Sequence, residues 1–220
     1  MSKEFYLRIL TSIILLIILT FMLKYSVVLI STLLLIFVIS WLEFNNILDN
    51  IFKSNSKQIL KYLFKLFIFI YLLFFMKLIV DEFLLNQPNM SLNLIFIISI
   101  CILSDLGGYI FGKTFKGKKL TKISPNKTYS GMIGSFVLSL LFCIIYTYLM
   151  KLNDFTIVIL ITMLISFICQ MGDLFISFLK RKAKIKDTGN ILPGHGGLLD
   201  RIDGILFALP TGILLIKYFY

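Results

Sequence analysis

The sequence predicts an all-α, polytopic membrane protein with about seven transmembrane helices, and three observations carry that reading. Hydrophobic residues make up 59% of the 220 positions and charged residues 15%, a balance unlike that of soluble globules. Apolar runs of roughly twenty residues, the length at which a helix spans the hydrocarbon core, recur along the chain. The cations behind the net charge of +11 fall largely between those runs. Membrane orientation and anionic headgroups account for that placement better than nucleic acid does, so lipids and not nucleic acid are the expected partners.

Taken in order, the first run extends from about Phe5 to Leu23, flanked by Lys3 and Arg8. A signal peptide would have a shorter apolar core and a small-residue cleavage site, so this run reads as a retained first span. After a turn at Lys24 and Tyr25, the second span covers about Ser26 to Leu42. A polar connector, Glu43 to Lys61, follows. The third span runs from about Tyr62 to Val80, and Asn86, Pro88 and Asn89 break the pattern after it. The fourth begins near Leu92 and stays apolar to Leu103. Span five covers about Met132 to Met150 and span six begins at Phe155, apolar to Cys169. Span seven, about Ile205 to Ile216, contains Pro210 and Gly212, which read as a kink and not a stop. Cys101, Cys143 and Cys169 lie in or at the ends of apolar runs without CxxC spacing, and read as small core hydrophobes. The whole chain, 1–220, is one integral-membrane domain, with amino-terminal spans in 1–90 and the chemistry-bearing part in 91–220.

Orientation follows from charge. With the amino terminus in the cytoplasm, 18 of the 22 basic residues face that side, and Lys24, Lys77, Lys151 and Lys217 face the other. The asymmetry requires an odd number of spans and puts the carboxyl terminus on the opposite side. It also puts both polar loops in the cytoplasm, where nucleotides are.

Function is concentrated in those loops. The stretch from Gln170 to Gly204 holds four of the 11 acidic residues (Asp173, Asp187, Asp200 and Asp203), the sole histidine and six of the 22 basic residues. Carboxylates alternating with cations around a Pro-Gly-His-Gly-Gly loop suit phosphates and the metal ions that accompany them. Asp105 stands at the end of a span, where a carboxylate is costly unless it faces a cavity, a cation or a metal. The loop from Lys113 to Gly131 carries six lysines and no acid. Its first five lysines read equally well as solvated charge. The Ser124-Pro-Asn-Lys127-Thr128 piece, a proline turn with two hydroxyls and a cation, suits phosphate oxygens.

The pattern S-x-x-K-R-x4-K-D-x-G-x2-L-P-G-H-G-G-x-x-D-R-x-D runs from Ser177 to Asp203. It resembles the signature of the phosphatidate cytidylyltransferase (CDP-diacylglycerol synthase) family. Gln170-x-Gly-Asp-Leu174, Asp105-x-Gly-x-Tyr109 and Lys119-Leu-x-x-Ile-Ser-Pro-x-Lys-Thr128 resemble that family too, so the likeness covers about residues 100 to 205. It implies that phosphatidate and CTP give CDP-diacylglycerol and pyrophosphate with Mg2+ required, at the cytoplasmic face of a bacterial inner membrane. A homodimer is compatible with it. Three positions depart from the family's usual pattern. Leu106 stands where a hydroxyl residue is common, Ser130 where an acid or amide is, and Gly204 where serine is.

The chemistry assigns roles within this pattern. One phosphate monoester must attack the α-phosphorus of CTP while pyrophosphate leaves, so neutralising charge is the main task. Asp173, Asp200 and Asp203, with Asp105, are the expected ligands of one or two divalent ions. Lys180, Arg181, Lys186 and Arg201 are expected to clamp phosphate oxygens, with Asp187 among the catalytic groups and Gly194, Gly196 and Gly197 offering backbone N–H groups. His195, set among small residues, is expected to bond a phosphate or fix the loop. The attacking phosphate is already anionic near neutral pH and needs no general base. Lys182 and Lys184, outside the pattern, read as solvated positive-inside charge. Two other functions compete. A CTP-dependent kinase of a polyprenol-type alcohol would release CDP, and an anionic-solute transporter would show two similar halves, of which the sequence has none.

Overall fold

The computed structural model describes residues 3–53, 58–85, 90–121, 123–152, 154–191 and 196–219. Among them the chain forms eight helices: α1 (Lys3–Lys24), α2 (Ser26–Ile51), α3 (Gln58–Leu85), α4 (Met90–Phe115), α5 (Tyr129–Met150), α6 (Phe155–Lys182), α7 (Leu199–Ile202) and α8 (Ile205–Phe219). No strand forms among the described residues, and Lys119 and Thr128 meet in an isolated antiparallel bridge. Helices α2 to α6 are each long and apolar enough to cross a membrane. Helix α1 has 22 residues and α8 has 15. The chain is thus an all-α, multi-pass membrane protein.

Several helices outrun the apolar stretches that predict them. Helix α2 continues through the supposed connector to Ile51, α4 passes Leu103 to end at Phe115, and α6 passes Cys169 to end at Lys182. Hydropathy marks where a helix meets lipid, whereas the helix itself needs only its backbone hydrogen bonds and continues wherever polar side chains have partners. Helix α8 runs through Pro210, which sits inside it without ending it.

The chain divides into two compact units. The first comprises residues 1–91 and 179–202, the second 92–178 and 203–220.

In the first unit α2 packs on α3 through aromatic rings. Phe69 meets Phe37 and Trp41 edge-to-face at 5.4 and 5.1 Å, and Phe52 stacks on Phe64 at 5.9 Å. Leu29, Leu33 and Ile47 of α2 and Leu72 and Ile79 of α3 are buried. Asp49 pairs with Lys61 and Lys65 of α3 at 2.6 and 2.9 Å.

In the second unit α4 and α5 approach until backbone meets backbone. A Cβ at Gly107 would sit 2.7 Å from the carbonyl carbon of Gly134, so neither position has room for a larger residue. Hydroxyls bind the same helices. Ser135 Oγ donates to the Ser104 carbonyl at 2.7 Å, and Ser104 Oγ lies 3.0 Å from Ser166 Oγ of α6. These buried hydroxyls offer α4, α5 and α6 directional contacts where lipid supplies no hydrophobic drive between helices.

Candidate active site

The site in the second unit begins with a turn. Pro125 presets the backbone for the bend, Lys127 N–H closes it on the Ser124 carbonyl at 3.1 Å, and Leu120 N–H bonds the Lys127 carbonyl at 2.8 Å. Thr128 then caps α5, its Oγ1 accepting from Gly131 N–H at 3.1 Å. Ser130 Oγ lies 2.9 Å from Thr128 Oγ1 and donates to the Lys116 carbonyl, which ties the basic loop to the start of the helix. The departure at Ser130 thus has a structural use.

This folding closes a cavity of about 330 Å³. Helix α4 contributes Ser104, Asp105 and Gly108; the turn contributes Ser124, Lys127 and Thr128; α5 contributes Gly131 and Ser135; α6 contributes Gln170 and Asp173. Lys127 Nζ forms an ion pair with Asp173 Oδ2, and Ser177 Oγ donates to Asp173 Oδ1 at 3.3 Å. Asp105 Oδ1 receives a long contact of 4.0 Å from Cys169 Sγ. Two carboxylates, one ammonium and several hydroxyls therefore converge on one hollow. Asp105 and Asp173, with hydroxyl oxygens beside them, offer hard oxygen donors of the kind that suit a magnesium ion. Among the described residues, no three His, Cys, Asp or Glu side chains gather as a complete metal cage.

Asp203 also belongs to the second unit. Its Oδ1 accepts from Gly204 N–H at 2.9 Å at the entry to α8. A Cβ at Gly204 would lie 2.5 Å from Cys169 Sγ and 2.9 Å from the Cys169 carbonyl, so the departure at this position is forced by close packing on α6. Leu106, the third departure, is an exposed residue of α4.

The remaining signature residues lie in the first unit, and their geometry differs in kind. Lys180 Nζ meets Asp200 Oδ1 at 2.6 Å. Asp200 Oδ2 accepts from Thr188 N–H at 2.8 Å, from Gly197 N–H at 3.1 Å and from Thr188 Oγ1 at 3.1 Å. Burial pushes the Asp200 carboxyl up, but the Lys180 ammonium and the N–H groups of Thr188 and Gly197 outweigh it and hold the group below the usual carboxylate range. Asp200 thus fastens the segment to the end of α6, and one of the glycine N–H groups expected to meet phosphate is occupied by it. Gly196, at φ 83°, holds a left-handed backbone that favours glycine. Arg181, Lys186, Asp187 and Arg201 are exposed. Gly194 and His195 lie outside the described residues.

One participant escapes sequence reasoning. Glu43 of α2, only 4% exposed, accepts from Thr188 Oγ1 at 2.7 Å, Leu198 N–H at 2.8 Å and Leu199 N–H at 2.9 Å. The signal available was periodicity. Phe44, Ile47 and Leu48 continue a helical stripe past Leu42, and Glu43 shares their buried face.

Comparison with known proteins decides the family. The sequence model of the cytidylyltransferase family matches residues 1–219. The chain belongs to that family. Among its relatives is a protein of Bacillus subtilis (strain 168) named phosphatidate cytidylyltransferase, 42% identical over 137 residues, which are 61% of this chain and 51% of the relative. Proteins of the same name from Staphylococcus haemolyticus (strain JCSC1435) and Staphylococcus aureus (strain COL) are each 45% identical over 118 residues, 52% of this chain and 45% of theirs. The chain spans about half the length of the curated relatives it matches.

Proposed function

We propose that the protein transfers a cytidylyl group from CTP to phosphatidate. In this reaction a phosphate oxygen of phosphatidate bonds to the α-phosphorus of CTP, the bond from that phosphorus to the β-phosphate bridge breaks, and pyrophosphate leaves. CDP-diacylglycerol remains in the membrane. The observation that carries the reading is the family match over residues 1–219, together with the signature from Ser177 to Asp203.

The residues fit the electrostatic demands of that step. Lys127 is the cation of the cavity, held by Asp173, and Ser124 and Thr128 present hydroxyls to phosphate oxygens. In the first unit, Arg181 and Lys186 are exposed cations of a kind that suits phosphate oxygens. Asp105 and Asp173 would hold magnesium, which when bound neutralises phosphate charge and stabilises the departing pyrophosphate. The lipid phosphate is itself a competent anion, so in-line transfer needs no nucleotidyl-enzyme. The charge asymmetry of 18 to four among the basic residues supports a cytoplasmic site.

Purified protein incubated with phosphatidate, CTP and Mg2+ tests the proposal, with pyrophosphate and a nucleotide-linked lipid as expected products. Release of CDP and a phosphorylated lipid alcohol would instead identify a kinase. Labelled pyrophosphate should enter CTP only when CDP-diacylglycerol is supplied. Exchange without lipid would replace in-line transfer by a covalent route.

A further inference from the structure

We infer that Glu43, on a helix far in sequence from the signature, is a positioning residue that holds the signature segment in its working conformation. The inference rests on the proposed function for what the segment does, and on the geometry of the first unit for how it is held.

A carboxylate in the interior is tolerated only where donors surround it. Among the described residues Glu43 has three, and each comes from the signature segment. Its Oε2 takes the Thr188 hydroxyl and Leu199 N–H, and its Oε1 takes Leu198 N–H. Leu198 and Leu199 enter the four-residue helix α7, so two N–H groups that open this turn find their acceptor in α2. Thr188 and Leu199 are buried with the carboxylate, at 1% and 0% exposure. One side chain thereby joins the arm at 188 to the arm at 198 and 199.

Two signature glycines take their place from the same contact. A Cβ at Gly189 or at Gly197 would lie 2.8 Å from Glu43 Oε1. Their small size is what lets the segment fold closely around the carboxylate. Thr188 adds a link onward, since its hydroxyl also lies 3.1 Å from Asp200 Oδ2 and its N–H donates there at 2.8 Å. A hydroxyl has one proton to give. At 2.7 Å against 3.1 Å Glu43 is the nearer acceptor, and Asp200 keeps its hold on the segment through the backbone. The chain of contacts Glu43, Thr188, Asp200, Lys180 fixes the segment that displays Lys186, Asp187 and Arg201.

The neutral isostere Gln tests this in the full-length protein. Glutamine has one acceptor oxygen, and its amide nitrogen would face a donor, so at least one of the three donors is left without a partner. A thiol is introduced by Leu198→Cys at a position only 8% exposed. The native Cys101, Cys143 and Cys169, all buried, remain as internal reporters of unfolding. Maleimide modification at position 198, followed by peptide mass, should be faster by about tenfold or more in Glu43→Gln. Thr188→Val, which removes only the hydroxyl, should accelerate it less. Asp49→Asn, on the same helix but paired outward with Lys61 and Lys65, should leave the rate unchanged. Equal rates in Glu43→Gln and its parent overturn the inference. So does acceleration matched by labelling of the native thiols, because the whole bundle has then loosened.

Kinetics distinguish positioning from bulk stability. In Glu43→Gln the KM for CTP should rise by about fivefold or more, with the KM for phosphatidate within about twofold of wild type. A residue needed only for stability would lower the active fraction and leave both KM values in place, and that result overturns the positioning role. A wild-type protein that transfers no cytidylyl group defeats the proposed function instead, and the labelling then decides by itself whether Glu43 holds the segment.

Discussion

At the scale of single residues, the aspartates that look alike in sequence separate by what surrounds them. Asp173 lines a cavity and pairs with Lys127, which lines the same cavity, so both charges face the space a substrate or an ion would enter. Asp200 has both oxygens engaged, by one ammonium and by donors of its own segment. Their spacing of three would put Asp200 and Asp203 on one face if the segment were helical, but α7 ends at Ile202, and spacing carries no information about which donors arrive from elsewhere in the chain. A prediction follows from the difference between a charge lining a cavity and one on the surface. Asp173→Asn keeps the size of the side chain but removes the partner of Lys127, and cytidylyl transfer should fall by about a hundredfold or more. Lys182→Gln alters an exposed residue outside the signature and should leave transfer close to wild type. Both are read as initial rates on purified protein normalised to inserted enzyme. Equal loss in the two variants would show that the cavity does not govern the reaction.

At the scale of helices, glycines and hydroxyls set how closely the elements of the second unit approach. The apolar runs made the helices legible, because a stretch facing lipid must be almost continuously hydrophobic. Their ends were not legible. Glu43 and Asn50 in α2 and Lys180 in α6 interrupt hydropathy without interrupting the backbone ladder. Nor does any local pattern announce that residues 179–202 pack with the amino-terminal unit, since such contacts depend on residues more than a hundred positions away. The signature itself was legible in full, but it fixes residue types and not which of them bind ligand and which hold the segment. Gly204 offers a test of close packing between α6 and α8. Gly204→Ser, which restores the residue common in the family, would bring a Cβ to 2.5 Å from Cys169 Sγ. Overpacking of this kind costs about 1–3 kcal/mol, so the midpoint of thermal aggregation in detergent should drop by several degrees. Cys169→Ala in the same protein should recover part of that loss and not all, because the Cys169 carbonyl, 2.9 Å away, stays where it is. A Gly204→Ser protein as stable as wild type would mean that α8 is not held so tightly at its start.

At the scale of the whole molecule, the side of the membrane that each connection occupies is governed by the number of crossings between them. The α4–α5 connection and the segment after α6 are separated by α5 and α6, both long enough to span, so if both cross they share a side whatever happens at either end of the chain. The α5–α6 connection must then lie opposite. The excess of cations on the shared side is what supports the proposal that it faces the cytoplasm. Helix α8 is the element that could break the seven-span count. Its 15 described residues rise about 22 Å at 1.5 Å each, against the roughly 30 Å of a typical hydrocarbon core. Single cysteines placed at Lys119, Asn190, Lys151 and Lys217, in a background with Cys101, Cys143 and Cys169 replaced, resolve both points with a membrane-impermeant maleimide. Positions 119 and 190 should react only in inside-out vesicles, and 151 only in right-side-out ones. If α8 crosses, 217 reacts together with 151. Reaction of 217 together with 119 would leave α8 as a helix that enters the membrane and does not leave it on the far side, reducing the crossings to six, while labelling of 119 and 190 from opposite faces would overturn the orientation altogether.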